Sequence, residues 1–371
     1  MEQSHAGVGR LGHALRFSVG NWRASILILV PAMVLLEMLH QHPVAIFGAA
    51  ALALIPLASL LGNATEELAG HVGPALGGFL NATLGNATEL IIAFLALRSG
   101  HADVVKASIT GSIIGNLLLV LGLAVLVGGM GREKQTFNRT AIGANTSMLF
   151  LAVVALVMPA IFDLAVFGRL EEKGETIEQL SFWVAAVLLV SYFASLVFTF
   201  RTHKDVFRGE SHHAPVLGRA ASIAVLAVAT LLIALASEIL VGQIEFVTKS
   251  LGWTELFVGL VIVATVGNAA EHSTAVMAAR KNQMDLALNI AVASSTQIAL
   301  FVAPLLVVAS QWMPNHMSLV FHPLEIGAVI FSVGAVTLVS QDGETNWFEG
   351  VQLLSVYVIL GVFFYFLPPS G

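Results

Sequence analysis

The sequence predicts an all-α polytopic membrane protein of eleven transmembrane helices: one N-terminal helix, then two inverted five-helix repeats with broken helices at a shared central site. Three observations predict it. Apolar residues (AVILMFWYC) fill 57% of the 371 positions and charged residues only 11%, where about 25% charged is usual for a soluble domain. With a mean hydropathy of +0.87, too few polar side chains remain to clothe a water-facing surface. Apolar stretches long enough to cross a hydrocarbon layer of about 30 Å as helices recur along the whole chain. A nine-residue motif also occurs twice: NATLGNATE at 81–89 and VATVGNAAE at 263–271 agree at six positions, at a constant offset of 182.

Taken in order, the expected spans are 24–39, 43–65, 75–97, 104–128, 140–162, 180–200, 219–244, 254–277, 285–309, 321–340 and 348–367. The polar GNATEE stretch falls across the end of the second. Lys and Arg concentrate on one side of this arrangement: Arg10, Arg16, Arg23, Arg132, Lys134, Arg139, Arg201, Lys204, Arg208, Arg219, Arg280 and Lys281 against Arg98, Lys106, Arg169, Lys173 and Lys249. Because short basic loops stay in the cytoplasm, the N-terminus is expected inside and the C-terminus outside. The domain reading is therefore a cytoplasmic N-terminus with the first helix (1–42), a first repeat (43–200), a cytoplasmic connecting loop (201–218) and a second repeat (219–371). Each repeat holds five crossings, an odd number, so the second enters from the opposite face, an architecture shared by many secondary transporters.

Composition also excludes classes. A net charge of -6 leaves no basic stripe for a phosphate backbone, so no nucleic-acid partner is expected. With no cysteine there are no disulfides, thiolate metal sites or cysteine nucleophiles. Residues 1–23 show no cleavable leader pattern.

The chemistry concentrates at Glu89 and Glu271, which lie inside otherwise apolar spans. An ionised carboxylate there costs at least about 2.5–3.5 kcal/mol. No Lys or Arg is placed to neutralise them within the same helices, which leaves a proton, a bound cation or a water-filled cavity. Gly85-Asn86 and Gly267-Asn268 precede each glutamate by about one turn and are places for the helix to break. A break frees backbone carbonyls, which with carboxylate and amide oxygens make a hard, oxygen-only donor set; such a set suits Ca2+ better than zinc or copper. The next span of each half adds Ser112 and Asn116 in GSIIGN, and Ser294, Ser295, Thr296 and Gln297 in ASSTQ, with both serines 23 residues after their glutamate. Their hydroxyls and amides could hold the ion or a bridging water; close helix packing is the other reading of the small residues.

These motifs, GNATE at 85–89, GNAAEH at 267–272, ATEELA at 64–69, GSIIGNLLLVLG at 111–122 and KNQMDLAL with SSTQIALFVAP within 281–304, resemble the cation/proton exchangers of the CAX family, within the calcium/cation antiporter superfamily. The resemblance runs from about residue 24 to 367. It implies a Ca2+/H+ antiporter, with Ca2+ and H+ as substrates and no cofactor. It further implies Glu89 and Glu271 as competing ligands for Ca2+ and protons, Gly85 and Gly267 as carbonyl donors, and Asn86, Asn268, Ser112, Ser294 and Gln297 around the ion. Two departures stand out. The connection at 201–219 is basic, with only Asp205 and Glu210 acidic, where many relatives carry an acidic helix, and Gly115 at the position equivalent to Gln297 has no side chain to offer.

The alternatives on the same scaffold are a Na+/H+ or K+/H+ antiporter and, from another class, a cation channel; no nucleophile-base pair marks an enzyme. Glu67 and Glu245 are read either as cavity-mouth acids or as interfacial solvation. His272 could tune its neighbour or simply pack, since adjacent helical residues point about 100° apart. His203, His212 and His213 fall in the connecting loop, and Glu171, Glu172, Glu175 and Glu178 read as a wet outer loop. Trp312, Trp347, Tyr357 and Tyr365 read as interface anchors and packing. The expected setting is a prokaryotic cell membrane with the lipid bilayer as partner, and a homo-oligomer is left open.

Overall fold

The computed structural model describes residues 25–168, 174–202 and 215–367. The readings placed on residues 1–23, on Glu171 and Glu172, and on His203, His212 and His213 lie outside the described residues. Among the described residues, seven helices are long and apolar enough to cross a membrane: Pro43–Val72, Ala102–Gly129, Arg139–Val166, Glu175–Thr202, Arg219–Gly242, Met284–Ser310 and Trp347–Tyr365. The number rises to nine where each of two bent pairs is one span: Leu76–Leu84 with Ala87–Arg98 (41°) and Ile244–Leu251 with Glu255–Gly267 (116°). Ile26–Met38 and Pro323–Val339 are apolar too, but only 13 and 17 residues long. At about 1.5 Å per residue, thirteen residues reach only about 20 Å.

The second span departs from its expected end at residue 65. Its helix runs through the GNATEE stretch to Val72. The polar side chains there fold back on the preceding turn, Asn63 Nδ2 donating to Ser59 O (2.7 Å) and Thr65 Oγ1 to Leu61 O (2.9 Å), so they need no break to find partners. Termination comes from Gly73, at φ +82°, and from Pro74 opening the next helix. Glu175 and Glu178, expected in a wet loop, stand in the first turn of Glu175–Val197, and Glu178 meets His316 at 2.7 Å. Acidic side chains suit that helix terminus.

Ala102–Gly129 and Met284–Ser310 are the most deeply buried spans, whereas Trp347–Tyr365 and Glu175–Thr202 present most of their surface outward. Exposed large side chains such as Trp183, Val190, Val358 and Ile359 lie on those outward faces, which suits a lipid solvent and not water. The centre is held by backbone contact. A Cβ on Gly111 would stand 2.2 Å from Leu260 O, and one on Gly259 would stand 2.5 Å from Val104 O. Small residues let these two helices cross at backbone distance, which brings Ser112 beside the turn leading into the second motif.

Gly115–Val120 and Ile298–Val302 are short π-helical segments. The first contains Asn116 and follows Ser112, the second follows Ser294 and Gln297, and the two stand at nearly the repeat offset; π-helical turns favour functional positions. A second departure from the all-α expectation is a two-residue antiparallel ladder, Gln135 opposite Thr345 and Thr136 opposite Glu344. It forms because Gly129 and Gly350 let the adjoining helices touch: a Cβ on Gly129 would stand 2.6 Å from Trp347 N. The loops between them are thereby brought side by side. Lys106, counted from sequence on the outer side and within the span expected at 104–128, is a buried helical residue, 4% exposed, bonded to Ser318 Oγ at 3.4 Å. Its helix starts at Ala102, two residues earlier than expected. Near it, buried Glu325 accepts from Thr110 Oγ1 (2.6 Å) and caps its own helix through His322 N (3.1 Å).

At the start of the Ala102 helix, His101 Nδ1 meets Glu255 Oε1 at 3.3 Å, joining the loop after Arg98 to the start of the Glu255 helix. The hydrogen bond to Glu255, with the charges of Glu255 and Glu245, raises the His101 pKa against a smaller opposing effect of burial. A raised imidazole adds stability that is full below its unfolded pKa of about 6.5 and is lost as pH climbs through the folded value.

Two outcomes follow from these contacts. Gly111→Val is expected to destabilise the purified protein by about 1–3 kcal/mol or more through overpacking. Gly143→Ala, where nothing lies within 4 Å, should be neutral or stabilising by up to about 1 kcal/mol. Thermal melting in detergent distinguishes them, and equal melting of the two variants contradicts the crossing. The same assay should show His101→Gln lowering the melting temperature at pH 6 and leaving it nearly unchanged at pH 9.

Candidate functional site

The helix breaks read from the Gly-Asn pairs fall at the asparagines. Asn86 (φ -95°, ψ 21°) and Asn268 (φ -89°, ψ 3°) adopt nearly the same non-helical conformation, in the sparsely used bridge region. Each then opens a new helix, Ala87–Arg98 and Ala269–Arg280, with its glutamate in the first turn. The free amides and the positive end of the helix dipole at such a terminus favour negative charge.

The two motifs meet. Glu89 lies against the glycine of the opposite motif: a Cβ on Gly267 would stand 3.2 Å from Glu89 Cγ and 3.6 Å from its Oε1, so a larger residue there would push the carboxylate side chain by a few tenths of an ångström. The Glu89 and Glu271 carboxyls interact electrostatically, and Ser294 lies beside Glu271. Around them runs a ring of amides and hydroxyls drawn from both halves. Asn86 Nδ2 donates to Gln297 Oε1 (2.5 Å), and Ser294 Oγ donates to Asn86 Oδ1 (3.2 Å). Asn116 Nδ2 donates to both Ser294 Oγ (3.0 Å) and Asn268 Oδ1 (3.2 Å). Asn268 Nδ2 donates to Ser112 Oγ (2.8 Å) and to Ala264 O (2.8 Å).

Ring members Asn86, Asn116, Asn268, Ser112 and Ser294 are all at most 4% exposed. Three buried oxygens are nonetheless left without a hydrogen-bond partner: Glu89 Oε2, Glu271 Oε2 and Asn116 Oδ1. A buried acceptor in that state carries a desolvation penalty of about 1–3 kcal/mol, more when charged. Beside Glu89, Ser108 and Ser112 a cavity of about 10 Å³ remains, on the scale of a single water-sized sphere. Of the three residues with unmet oxygens only Glu89 lines that space, whose other walls are mostly apolar; a proton or a dehydrated hard cation would satisfy its orphaned oxygen there. Among the described residues no three of His, Cys, Asp and Glu gather, so donors beyond the two carboxylates are neutral oxygens.

Of the residues singled out from sequence, Glu89, Glu271, Asn86, Asn268, Ser112, Ser294, Gln297 and Gly267 come together. Gly85 stands on an exposed face of its helix end. Glu67 is elsewhere: its Oε2 accepts from Val216 N and Leu217 N, both at 2.8 Å, and His71 Nε2 bonds Leu217 O at 2.7 Å. Glu245 is exposed and pairs with Lys249 at 2.6 Å. His272 is half-buried next to Glu271. The sequence under-weighted Asn116, the one side chain that bridges Ser294 and Asn268; its signal was its place one turn after Ser112 on the same helical face.

Known proteins resemble this chain along nearly its whole length. The model of the sodium/calcium exchanger protein family matches residues 42–201 and 221–366. A Ca2+/H+ antiporter of Aphanothece halophytica is 45% identical over 360 residues, covering 92% of this chain and 96% of that protein. The solved structure of native YfkE superposes with a TM-score of 0.80 at 39% identity, covering 92% of this chain and all of that one. An H+/Ca2+ exchanger named CAX shares the fold at a TM-score of 0.68 and 15% identity, over 92% of this chain and 91% of that one. The chain belongs to the sodium/calcium exchanger family and is a multi-pass integral membrane protein.

The unmet charge of the site has a measurable consequence. In divalent-free buffer at pH 8, Glu89→Gln replaces a carboxyl that carries the cost of burial and of its acidic neighbour, and should raise the melting temperature by about 2–4 °C, the equivalent of about 1 kcal/mol in a chain of a few hundred residues. A lower melting temperature would contradict the repulsion.

Proposed function

We propose that the chain is a Ca2+/H+ antiporter that expels cytoplasmic Ca2+ against an inward flow of protons by alternating access. The observation that carries this reading is the meeting of Glu89 and Glu271, each with a buried, unpartnered oxygen, inside a ring of neutral oxygen donors. The names of the relatives, Ca2+/H+ antiporters from Aphanothece halophytica and Bacillus subtilis, support it.

The mechanism follows from charge. Empty and deprotonated, the site carries two negative charges, and occluding it between apolar walls is expensive. One Ca2+ or two protons cancel that charge. The two cargoes therefore compete for the same carboxyl oxygens, and only the neutralised states change sides. Glu89 and Glu271 hold the cation or the protons. Gln297, Ser112 and Ser294, with the carbonyls freed at the breaks by Gly85 and Gly267, supply neutral oxygens, while Asn86 and Asn268 tie the donors of one half to those of the other.

Two inverted five-helix halves within eleven crossings would let the site open to either face in turn. The matching conformations at Asn86 and Asn268, and the π segments at Gly115–Val120 and Ile298–Val302, support that organisation. The distribution of Lys and Arg sets the N-terminus in the cytoplasm and the C-terminus outside, in a prokaryotic cell membrane.

Everted membrane vesicles energised by respiration test the reading. Adding Ca2+ should release the stored protons, and Na+, K+, Mg2+ and Mn2+ added separately rank the alternatives. Glu89→Gln and Glu271→Gln should each bring Ca2+-driven release to background; near-normal exchange by either variant refutes the assignment. Release by Na+ or K+ and not by Ca2+ would transfer the same machinery to a monovalent cation.

A further inference from the structure

Tyr192 lies on Glu175–Val197, far from both motifs in sequence and outside the ring of donors. It is among the largest fully buried side chains, 2% exposed. Its hydroxyl donates to Ala82 O at 3.1 Å, and its ring stacks on Phe301, centroids 4.9 Å apart and planes 23° from parallel.

Ala82 is four residues before Asn86, so in an unbroken helix its carbonyl would accept the Asn86 amide. Where the chain breaks, that carbonyl needs another donor. The two halves solve this differently. In the second, the equivalent carbonyl, Ala264 O, is met by Asn268 itself, through its backbone N at 3.1 Å and its Nδ2 at 2.8 Å. In the first, Asn86 directs its Nδ2 across to Gln297, and the carbonyl is met by Tyr192. Phe301, on which Tyr192 stacks, lies four residues beyond Gln297 on the same span.

We propose that Tyr192 is a positioning residue for cation binding. By gripping Ala82 O and Phe301 together, it fixes the broken helix that carries Asn86 against the span that carries Gln297. This rests on the antiport reading insofar as Asn86 and Gln297 face the cation. Loss of the hydroxyl frees the end of the helix before the break, and the Asn86–Gln297 pair and the Glu89 terminus lose their alignment. The expected loss falls on cation affinity, while turnover of the filled site is preserved.

The test compares Tyr192→Phe, which keeps the stack and loses the hydrogen bond, with Tyr192→Leu, which loses both, and with Tyr365→Phe as an exposed control. Initial rates of Ca2+-driven proton release are measured across Ca2+ concentrations in everted vesicles and normalised to folded transporter. Tyr192→Phe should raise the KM for Ca2+ about 3- to 10-fold, the scale of one neutral hydrogen bond, with Vmax within about twofold of the parent. Tyr192→Leu should raise it further, and Tyr365→Phe should leave it unchanged.

An unchanged KM for Tyr192→Phe, with or without a fall in Vmax, overturns the proposal. If Tyr192→Phe does not reach the membrane, Phe301→Leu decides: a raised KM supports the grip and an unchanged one overturns it. A parent chain that releases no protons with Ca2+ overturns the antiport reading instead, and the Tyr192 variants are then judged by KM for whichever cation of the panel does drive release.

Discussion

Two carboxylates pressed toward each other in an apolar interior repel, and neither finds a cation among the side chains of its own helix. Much of the central architecture answers to that repulsion. The helices that carry Glu89 and Glu271 each begin within a turn of the carboxylate, so free backbone amides and the positive end of a helix dipole stand where the negative charge is. Gly267 leaves the space Glu89 occupies. The amide and hydroxyl ring then satisfies nearly every other polar atom around the pair, so that the unmet acceptors narrow to the two glutamates and Asn116 Oδ1. An exchanger needs that remainder: a fully satisfied site would have no reason to take up an ion.

Bringing two motifs 182 residues apart into one site requires helices closer than side chains ordinarily allow. Gly111 and Gly259 supply the approach at the centre, and Gly122, Gly129 and Gly350 supply it where the Trp347 helix packs. In lipid there is no hydrophobic gain from helix association, so close van der Waals contact and hydrogen bonds between helices carry the stability. The same economy explains why polar residues persist inside spans such as Pro43–Val72, where Asn63 and Thr65 bond to the preceding turn, and why Lys106 and Glu325 are buried beside polar neighbours in place of facing lipid.

How much of this was legible in the sequence depends on whether the signal was periodic or relational. The membrane class, the positions of the apolar stretches and the breaks at the Gly-Asn pairs follow from composition, length and local backbone chemistry, and all were readable. The ligand candidates were readable because the motif recurs, so that Ser112 could be set against Ser294 without knowing where either points. The end of the second span was misread because a polar stretch in a single sequence looks alike whether its side chains bond to water or to their own helix. Nothing local in the chain tells that Glu67 holds the amides of Val216 and Leu217, that Thr110 and Glu325 pair, or that Asn116 bridges Ser294 and Asn268; each contact joins segments more than a hundred residues apart and exists only once the helices are packed.

The repeat also shows where the halves have ceased to be equivalent. Gln297 replaces Gly115, Ile298 replaces Asn116, and the orphan carbonyl before the break is met by Tyr192 in one half and by Asn268 in the other. These differences are linked. A glutamine on the second half's span draws the first half's asparagine amide away from its own helix end, which leaves Ala82 O to a tyrosine from a third helix. Asn116, on the first half's span, reaches in the other direction to hold Ser294 and Asn268. One break is therefore capped within its own chain segment, while the other is fixed by tertiary contacts. A break held by neighbouring helices moves when they move, and one that caps itself travels as a unit. In the alternating-access mechanism proposed above, the first half's break is the one whose geometry responds to the packing around it.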